Sequence, residues 1–274
     1  MKVLTSLQEL QSFLKNSGES IAFIPTMGNL HSGHISLIQT AKKFSKNIIC
    51  SIFVNPAQFS ENEDFATYPK TPEQDLEKLE NAGVNAVYIP SLHDVYPVKP
   101  KIQLDIPHLT HCLCGVSRPN FFNGVMTVVL KLILQIKPKF IIFGDKDYQQ
   151  LLVIKEMVAS LSLPVKVISS PIIRNENGLA LSSRNGYFSS LEIPEKINKI
   201  LFECVETSFR TGVELALLEA KNHLNFLDKI DYLEVRSSEN LLLYKVGDDL
   251  VQFRLFFAGN INGIRLIDNI SFGL

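Results

Sequence analysis

The chain has almost no net charge: 27 Lys and Arg stand against 28 Asp and Glu, leaving −1 over 274 residues. A protein that grips nucleic-acid phosphates carries a strong basic excess, so nucleic acid is not expected as its main partner. Cysteine is scarce as well, with four residues. Cys112 and Cys114 have one residue between them, too few for the usual zinc pair, and no second pair exists. Cys50 lies in an apolar strand-like run and Cys204 in a helix-like one, and both are expected as buried, reduced thiols. Long apolar runs are missing. The most apolar helix candidate, Val125 to Ile136, is short and interrupted by Lys131, so no membrane span is expected. Met1 to Leu10 has no unbroken apolar stretch and carries Glu9, unlike a signal peptide. There is no G-x-G-x-x-G fingerprint, which argues against a nicotinamide or flavin site. Neither an internal repeat nor a low-complexity tract occurs.

What is present is ample material for a core, since 46% of the residues are hydrophobic, and the length suits one large or two medium domains. Apolar runs at Ile21–Ile24, Ile48–Val54, Val84–Ile89, Phe140–Phe143 and Val165–Ser169 read as strands. Between them lie helical patterns. Ile35, Leu37, Ile38, Ala41 and Phe44 share one helical face. A helix starts at Thr71-Pro-Glu-Gln74, with Thr as N-cap and Pro at the first position, and ends near Gly83. Others span Thr127–Ile136 and Asp147–Leu161. Unbroken apolar strands alternating with helices predict an α/β fold, a Rossmann-like parallel sheet covered by helices on both faces. After about Ile172 the pattern changes to two helices (Pro194–Phe209, Val213–Phe226) and then strands Tyr232–Val235, Val251–Phe257 and Ile264–Ile267. That order predicts a smaller C-terminal α+β domain over residues 173–274, following a first domain over 1–172, with the linker between Ser170 and Gly178.

The most informative stretch runs from Ile21 to His34. An apolar run breaks at Pro25, and a turn follows with Gly28, Gly33 and two His three residues apart before a helical pattern. A helix N-terminus with bare amides suits phosphate, Gly permits close approach, and His donates to charged oxygen or carries a proton. The reading is a nucleotide-phosphate site. His31 and His34 at this spacing also suit zinc, but no Cys or carboxylate sits at ligand spacing nearby. A surface loop with incidental His is the plainest alternative.

Three further polar groupings stand out. Asn55-Pro-Ala-Gln58 and Gly144-Asp-Lys-Asp-Tyr-Gln-Gln150 follow strands, so with the Thr26–His34 loop they fall on the carboxyl rim of the sheet, where ligands bind in such folds. Lys146 supplies a point charge for phosphate, and Asp147 either holds Mg²⁺ or caps the following helix. Leu181-Ser-Ser-Arg184, past the linker, offers two hydroxyls and a guanidinium. Taken singly, each is also read as an ordinary capped turn.

These residues resemble the pantothenate synthetase (pantoate–β-alanine ligase) family of the HIGH-motif nucleotidyltransferase superfamily. The likeness runs nearly end to end, through Pro25-Thr-Met-Gly-Asn-Leu-His-Ser-Gly-His34, Ser51-Ile-Phe-Val-Asn-Pro-Ala-Gln-Phe59, Tyr68-Pro-Lys-Thr71, Ser117-Arg-Pro119, Phe143-Gly-Asp-Lys-Asp-Tyr-Gln-Gln150, Gly178-Leu-Ala-Leu-Ser-Ser-Arg-Asn185 and Gly263-Ile-Arg-Leu-Ile-Asp-Asn269. A His-x-Gly-His alone is shared by many nucleotidyltransferases; its combination with the Asn-Pro-x-Gln and double-Gln motifs is specific. The resemblance implies ATP-dependent ligation of pantoate and β-alanine through a pantoyl adenylate, with Mg²⁺, a homodimer and a cytoplasmic setting. The rival readings are a plain nucleotidylyltransferase of the same superfamily and a non-catalytic ATP-binding homologue.

By the same resemblance, His34, His31, Lys146 and Arg184 are the catalytic candidates. His34 acts as proton donor and charge stabiliser, and His31 supports the same phosphates. The ATP site is expected from Pro25, Thr26, Met27, Gly28, Asn29, Leu30, His31, Ser32, Gly33 and His34, from Gly144, Asp145, Lys146 and Asp147, and from Ile173, Leu181, Ser182, Ser183 and Arg184. Gln58 and Gln150 are expected to hold pantoate, with Asn55 and Arg118 in the pantoate and β-alanine region and Asp147 as a Mg²⁺ ligand. One loop departs from the family pattern: Asn120-Phe-Phe-Asn-Gly124 stands where Gly-His-Phe-Arg-Gly is usual. Asp145 replaces a common Glu with its charge kept.

Overall fold

Nine strands and ten helices are described in a computed structural model that covers residues 1–17, 20–59, 63 and 65–273. In chain order the first part comprises β1 (Lys2–Leu4), α1 (Leu7–Lys15), β2 (Ile21–Thr26), α2 (Ser32–Lys42), β3 (Asn47–Ile52), α3 (Pro72–Asn81) and β4 (Ala86–Tyr88). It continues with α4 (Leu92–Val95), α5 (Pro107–Thr110), α6 (Cys114–Ser117), α7 (Phe121–Ile136), β5 (Phe140–Gly144), α8 (Tyr148–Ser160) and β6 (Lys166–Ser170). The first six strands form one sheet in the order β1-β4-β3-β2-β5-β6, and every adjacent pair is parallel. The chain steps from β2 through β3 to β4 on one side and places β5 and β6 on the other, so the topological switch lies between β2 and β5. These two strands pair only at Ala22–Phe140 and Phe23–Ile141 and then part toward their carboxyl ends. The resulting crevice is where ligands enter folds of this kind.

The sheet is buried on both faces, as its unbroken apolar strands require. Phe23, Ile49, Tyr88 and Ile141 pack with α1, α7 and α8, while Ile24, Ile48, Val87 and Ile142 pack with α2 and α3.

The second part has α9 (Glu192–Thr211), α10 (Val213–His223) and the antiparallel strands β7 (Lys229–Ser237), β8 (Phe253–Ile261) and β9 (Ile264–Ser271). Its sheet uses both faces. Leu233, Val235, Leu255 and Phe257 pack on α9 and α10, whereas Tyr232, Phe256 and Ala258 join the core of the first part. The period-two alternation thus ties the two parts together.

Several expectations shift in detail. Helix α7 begins at Phe121, six residues before Thr127, because Gly124 is a site of close approach and not a breaker: a Cβ there would sit 2.1 Å from the Ala57 carbonyl oxygen. Helix α3 starts at Pro72 as expected, but Thr71 makes no cap hydrogen bond and its hydroxyl is buried without a partner. Strand β8 starts at Phe253, after a short turn in which Val251 is exposed. Strand β1 and helix α1 went unread in the sequence. Cys50 and Cys204 are buried as expected, and burial pushes both thiols up.

Candidate active site

The crevice between β2 and β5 opens into a cavity of about 290 Å³. The β2–α2 loop, the turn after β3, the turn after β5 and the Leu181–Arg184 segment all line it. The four polar groupings read from the sequence therefore meet at one place.

The amides of the β2–α2 loop are not bare, contrary to the expectation from a helix N-terminus. Gly28 N–H donates to Thr26 Oγ1 (3.3 Å), and Asn29 and Leu30 N–H donate to the two carboxylate oxygens of Asp75 (2.9 and 2.7 Å). Lys78 Nζ holds the Leu30 carbonyl at 2.7 Å. Gly28 takes φ +84° and Asn29 φ +51°, the left-handed bend that brings these amides onto Asp75. As a result Gly28, Asn29, Leu30 and Ser32 do not line the cavity, and the Leu30 side chain belongs to the core. Pro25, Thr26, Met27, His31, Gly33 and His34 do line it.

His31 is the N-cap of α2. Its Nδ1 accepts from Gly33 N–H at 3.1 Å, while His34 Nδ1 accepts from His31 N–H at 3.3 Å, and the rings lie 4.1 Å apart. Each Nδ1 is an acceptor, so each neutral ring carries its proton on Nε2. Burial, then mutual repulsion with His34 and the nearby Lys146 charge, lowers His31 to about 3; burial, Lys146 and Lys78 lower His34 to about 4. The site thus begins as two adjacent neutral Nε2–H donors.

Lys146 sits in a 3₁₀ turn, Asp145–Asp147, and lines the cavity with no hydrogen-bond or ion-pair partner among the described residues. Asp145 does not line the cavity: its Oδ1 is buried without a hydrogen bond, and burial raises its carboxyl. Asp147 is exposed at the cavity wall and does not cap α8. Among the described residues no group of three His, Cys, Asp or Glu could hold a metal by itself.

Gln58 and Gln150 both line the cavity. Gln58 Oε1 accepts from Asn55 Nδ2 (3.1 Å), and its Nε2 donates to the Met27 thioether (3.1 Å). Asn55 is buried, and its amide is spent on protein. Its Nδ2 reaches Gln58 and the Gly124 carbonyl, and its Oδ1 accepts from Ala57 N–H and Tyr96 Oη. Asn55 lines the cavity with its polar atoms all paired to protein, and it holds the Gln58 carboxamide. Arg118 is likewise engaged. Its guanidinium meets Glu63 through Nε (2.5 Å) and Nη2 (2.7 Å), donates to the Gln58 carbonyl (3.1 Å) and stacks 3.7 Å over Phe121. The unusual 120–124 loop thus gives Arg118 an aromatic platform, and Asn123 Oδ1 accepts from Leu104 N–H.

From the second part, Ile173, Leu181, Ser182, Ser183 and Arg184 line the cavity. Ser183 Oγ reaches the Asn29 carbonyl at 3.3 Å.

Two supporting roles escaped the sequence reading. Asp75 lies four residues before the buried Leu79, a carboxylate on the apolar face of α3, and that misplacement was its available signal. Asn269 on β9, the last residue of the Gly263–Asn269 motif, binds the Lys146 turn, a role that the motif does not announce.

Residues 2–271 match the model of the family described as pantoate-beta-alanine ligase. A pantothenate synthetase of Desulfitobacterium hafniense is 41% identical over 276 residues, covering 98% of this chain and 96% of that protein. One of Ruthia magnifica is 42% identical over 275 residues with the same coverage. Among solved structures, pantothenate synthetase of Thermus thermophilus superposes with a TM-score of 0.93 at 36% identity over all of both chains. Pantoate-beta-alanine ligase of Francisella tularensis, complexed with β-γ ATP and β-alanine, superposes with a TM-score of 0.83 at 34% identity over 99% of this chain and 98% of that one. The chain belongs to the pantoate–β-alanine ligase family.

Proposed function

From this membership and the cavity together we infer that the chain is an ATP-dependent ligase joining pantoate to β-alanine to give pantothenate. The observation that carries the reading is convergence. Two imidazoles, a Lys and a hydroxyl–guanidinium segment line one cavity together with two carboxamides.

The chemistry follows from that division. A pantoate carboxylate oxygen attacks the α-phosphorus of ATP. The bond from phosphorus to the bridging oxygen breaks, and pyrophosphate leaves with the electron pair. The neutral β-alanine amine then attacks the acyl carbon of the pantoyl adenylate; AMP departs and the amine loses a proton, giving the amide. Gln58 and Gln150 orient pantoate through neutral amides, which leave the carboxylate its nucleophilicity, whereas a salt bridge would blunt it. Lys146 and the His31 and His34 Nε2–H groups meet the charge that grows on the phosphate oxygens, and fixed donors of this kind act mainly on the transition state. Because His34 is neutral in the free site, it serves first as a hydrogen-bond donor. Ser182, Ser183 and Arg184 reach the triphosphate from residues 173–274, which act as a lid over the 1–172 domain.

Mg²⁺ enters in this reading with ATP. The donor set fits an ion held mostly by phosphate oxygens and water, with the exposed Asp147 carboxylate as its one protein ligand. When bound, it neutralises phosphate charge. A homodimer and a cytoplasmic setting belong to the same reading, and light scattering of the purified chain tests the first. AMP formation with ATP, Mg²⁺, pantoate and β-alanine, each dropped in turn, tests the activity. Release that needs both acid and amine supports it. ATP binding without turnover favours a non-catalytic homologue.

A further inference from the structure

We propose that Asn269 is a positioning residue for the adenylation step, fixing Lys146 by holding the turn that carries it. This rests on the ligase reading above.

Asn269 is buried at the C-terminal end of β9. Its Nδ2 donates to two successive main-chain carbonyls, Asp145 at 3.0 Å and Lys146 at 2.9 Å. Its Oδ1 accepts from Arg254 Nε at 2.7 Å, which fixes the orientation of the carboxamide. Arg254 is held in turn over the Tyr148 ring, 4.2 Å away, on the first turn of α8. Both carbonyls belong to the 3₁₀ turn Asp145–Asp147, in which no side chain caps the first residue. The two Asn269 bonds tie this turn to β9, and the direction of its carbonyls sets where the Lys146 side chain leaves the main chain.

Only an amide satisfies the arrangement. A carboxylate of the same shape would turn acceptor atoms on two carbonyl oxygens. An Asn→Asp change therefore removes both restraints with almost no change in volume. The link also joins the halves of the site, since a strand of the second part sets a cation of the first. Displacement of a catalytic group by about 1 Å is enough to cost ~10²-fold in rate.

The test is a double-mutant cycle on the full chain with Asn269→Asp, Asn269→Ser and Lys146→Ala, read as pantoate-dependent exchange of pyrophosphate into ATP and as ATP affinity by calorimetry. Asn269→Asp is expected to lower exchange by about 10²-fold, and Asn269→Ser, which keeps one donor, by less. In the Lys146→Ala background the further loss should stay within about twofold, the scatter of independent sites. A purely structural role would instead multiply the two losses, and that result, or full exchange in both Asn269 variants, overturns the proposal. If both Asn269 variants fail to fold, Arg254→Lys, which drops the Nε donor and keeps the charge, takes their place in the same cycle with the same two outcomes. If the unaltered chain shows no exchange, the ligase reading fails, and the cycle on ATP affinity still decides whether Asn269 acts through Lys146.

Discussion

His34 Nδ1 accepts the main-chain N–H of His31 at 3.3 Å, so each imidazole of this pair is fixed by the backbone of its own helix start. In both rings Nδ1 closes the helix start, which leaves the ring proton on Nε2. A zinc reading would need Nε2 bare and Nδ1 as the N–H donor, whereas both Nδ1 atoms accept main-chain N–H groups.

The burial that keeps both rings neutral has a sign. An unfolded His protonates below about 6.5, whereas in the fold His31 and His34 wait until about 3 and about 4. Between those values the unfolded chain binds more protons, so these two residues cost stability as pH falls from about 6.5 toward 4 and 3. The melting temperature of the free protein should drop more between about pH 7 and pH 5 than that of a His31→Asn/His34→Asn variant. Nitrogen NMR should show both rings as Nε2–H tautomers above about pH 5. Titration of either ring near its ordinary value contradicts the burial argument.

In the proposed reaction, replacing His34 by Ala removes a donor to the developing phosphate charge. The adenylation rate should fall ~10²–10³-fold with the fold intact, measured by pyrophosphate exchange and by circular dichroism.

Asp75 pins two amides of the β2–α2 loop. Asp75→Asn offers one acceptor where two are needed and leaves a buried N–H unpaired, a loss of about 1–3 kcal/mol. Denaturant unfolding measures that loss, and the KM for ATP should rise because His31 follows directly after Leu30 in the chain.

Asn55 and Gly124 bear on the other substrate. Asn55→Ala frees the Gln58 side chain and should raise the KM for pantoate by roughly three- to tenfold, the worth of one hydrogen bond, with the KM for ATP unchanged. Gly124→Ala would drive a Cβ to 2.1 Å from the Ala57 carbonyl. Despite the better helix propensity of Ala, unfolding should show a loss of about 1–3 kcal/mol or more.

The sequence carried the fold where burial is two-sided. The apolar runs at Ile21–Ile24 and Phe140–Phe143 stand out because both faces of the sheet are covered. Strand β1 has three residues, with Lys2 and Val3 exposed, so it shows no such run. The cavity was legible where its lining comes from local motifs at strand ends, as with His31, His34, Lys146 and Gln58, and from the Ser182–Arg184 segment. The motifs did not show which of their side chains are tied to protein: Leu30 is core, Asn55 is bonded to Gln58, and Arg118 is paired with Glu63. The contact of Asn269 with the Lys146 turn stayed hidden because Asp145 and Lys146 lie more than a hundred residues away in the chain.

The most direct test of the ligase reading is pyrophosphate exchange into ATP with pantoate present and β-alanine withheld. The expected result is exchange that requires pantoate, with AMP accumulating only once β-alanine is added. Tight ATP binding with no pantoate-dependent exchange would contradict the adenylate route and the roles assigned to His34, Lys146 and Gln58.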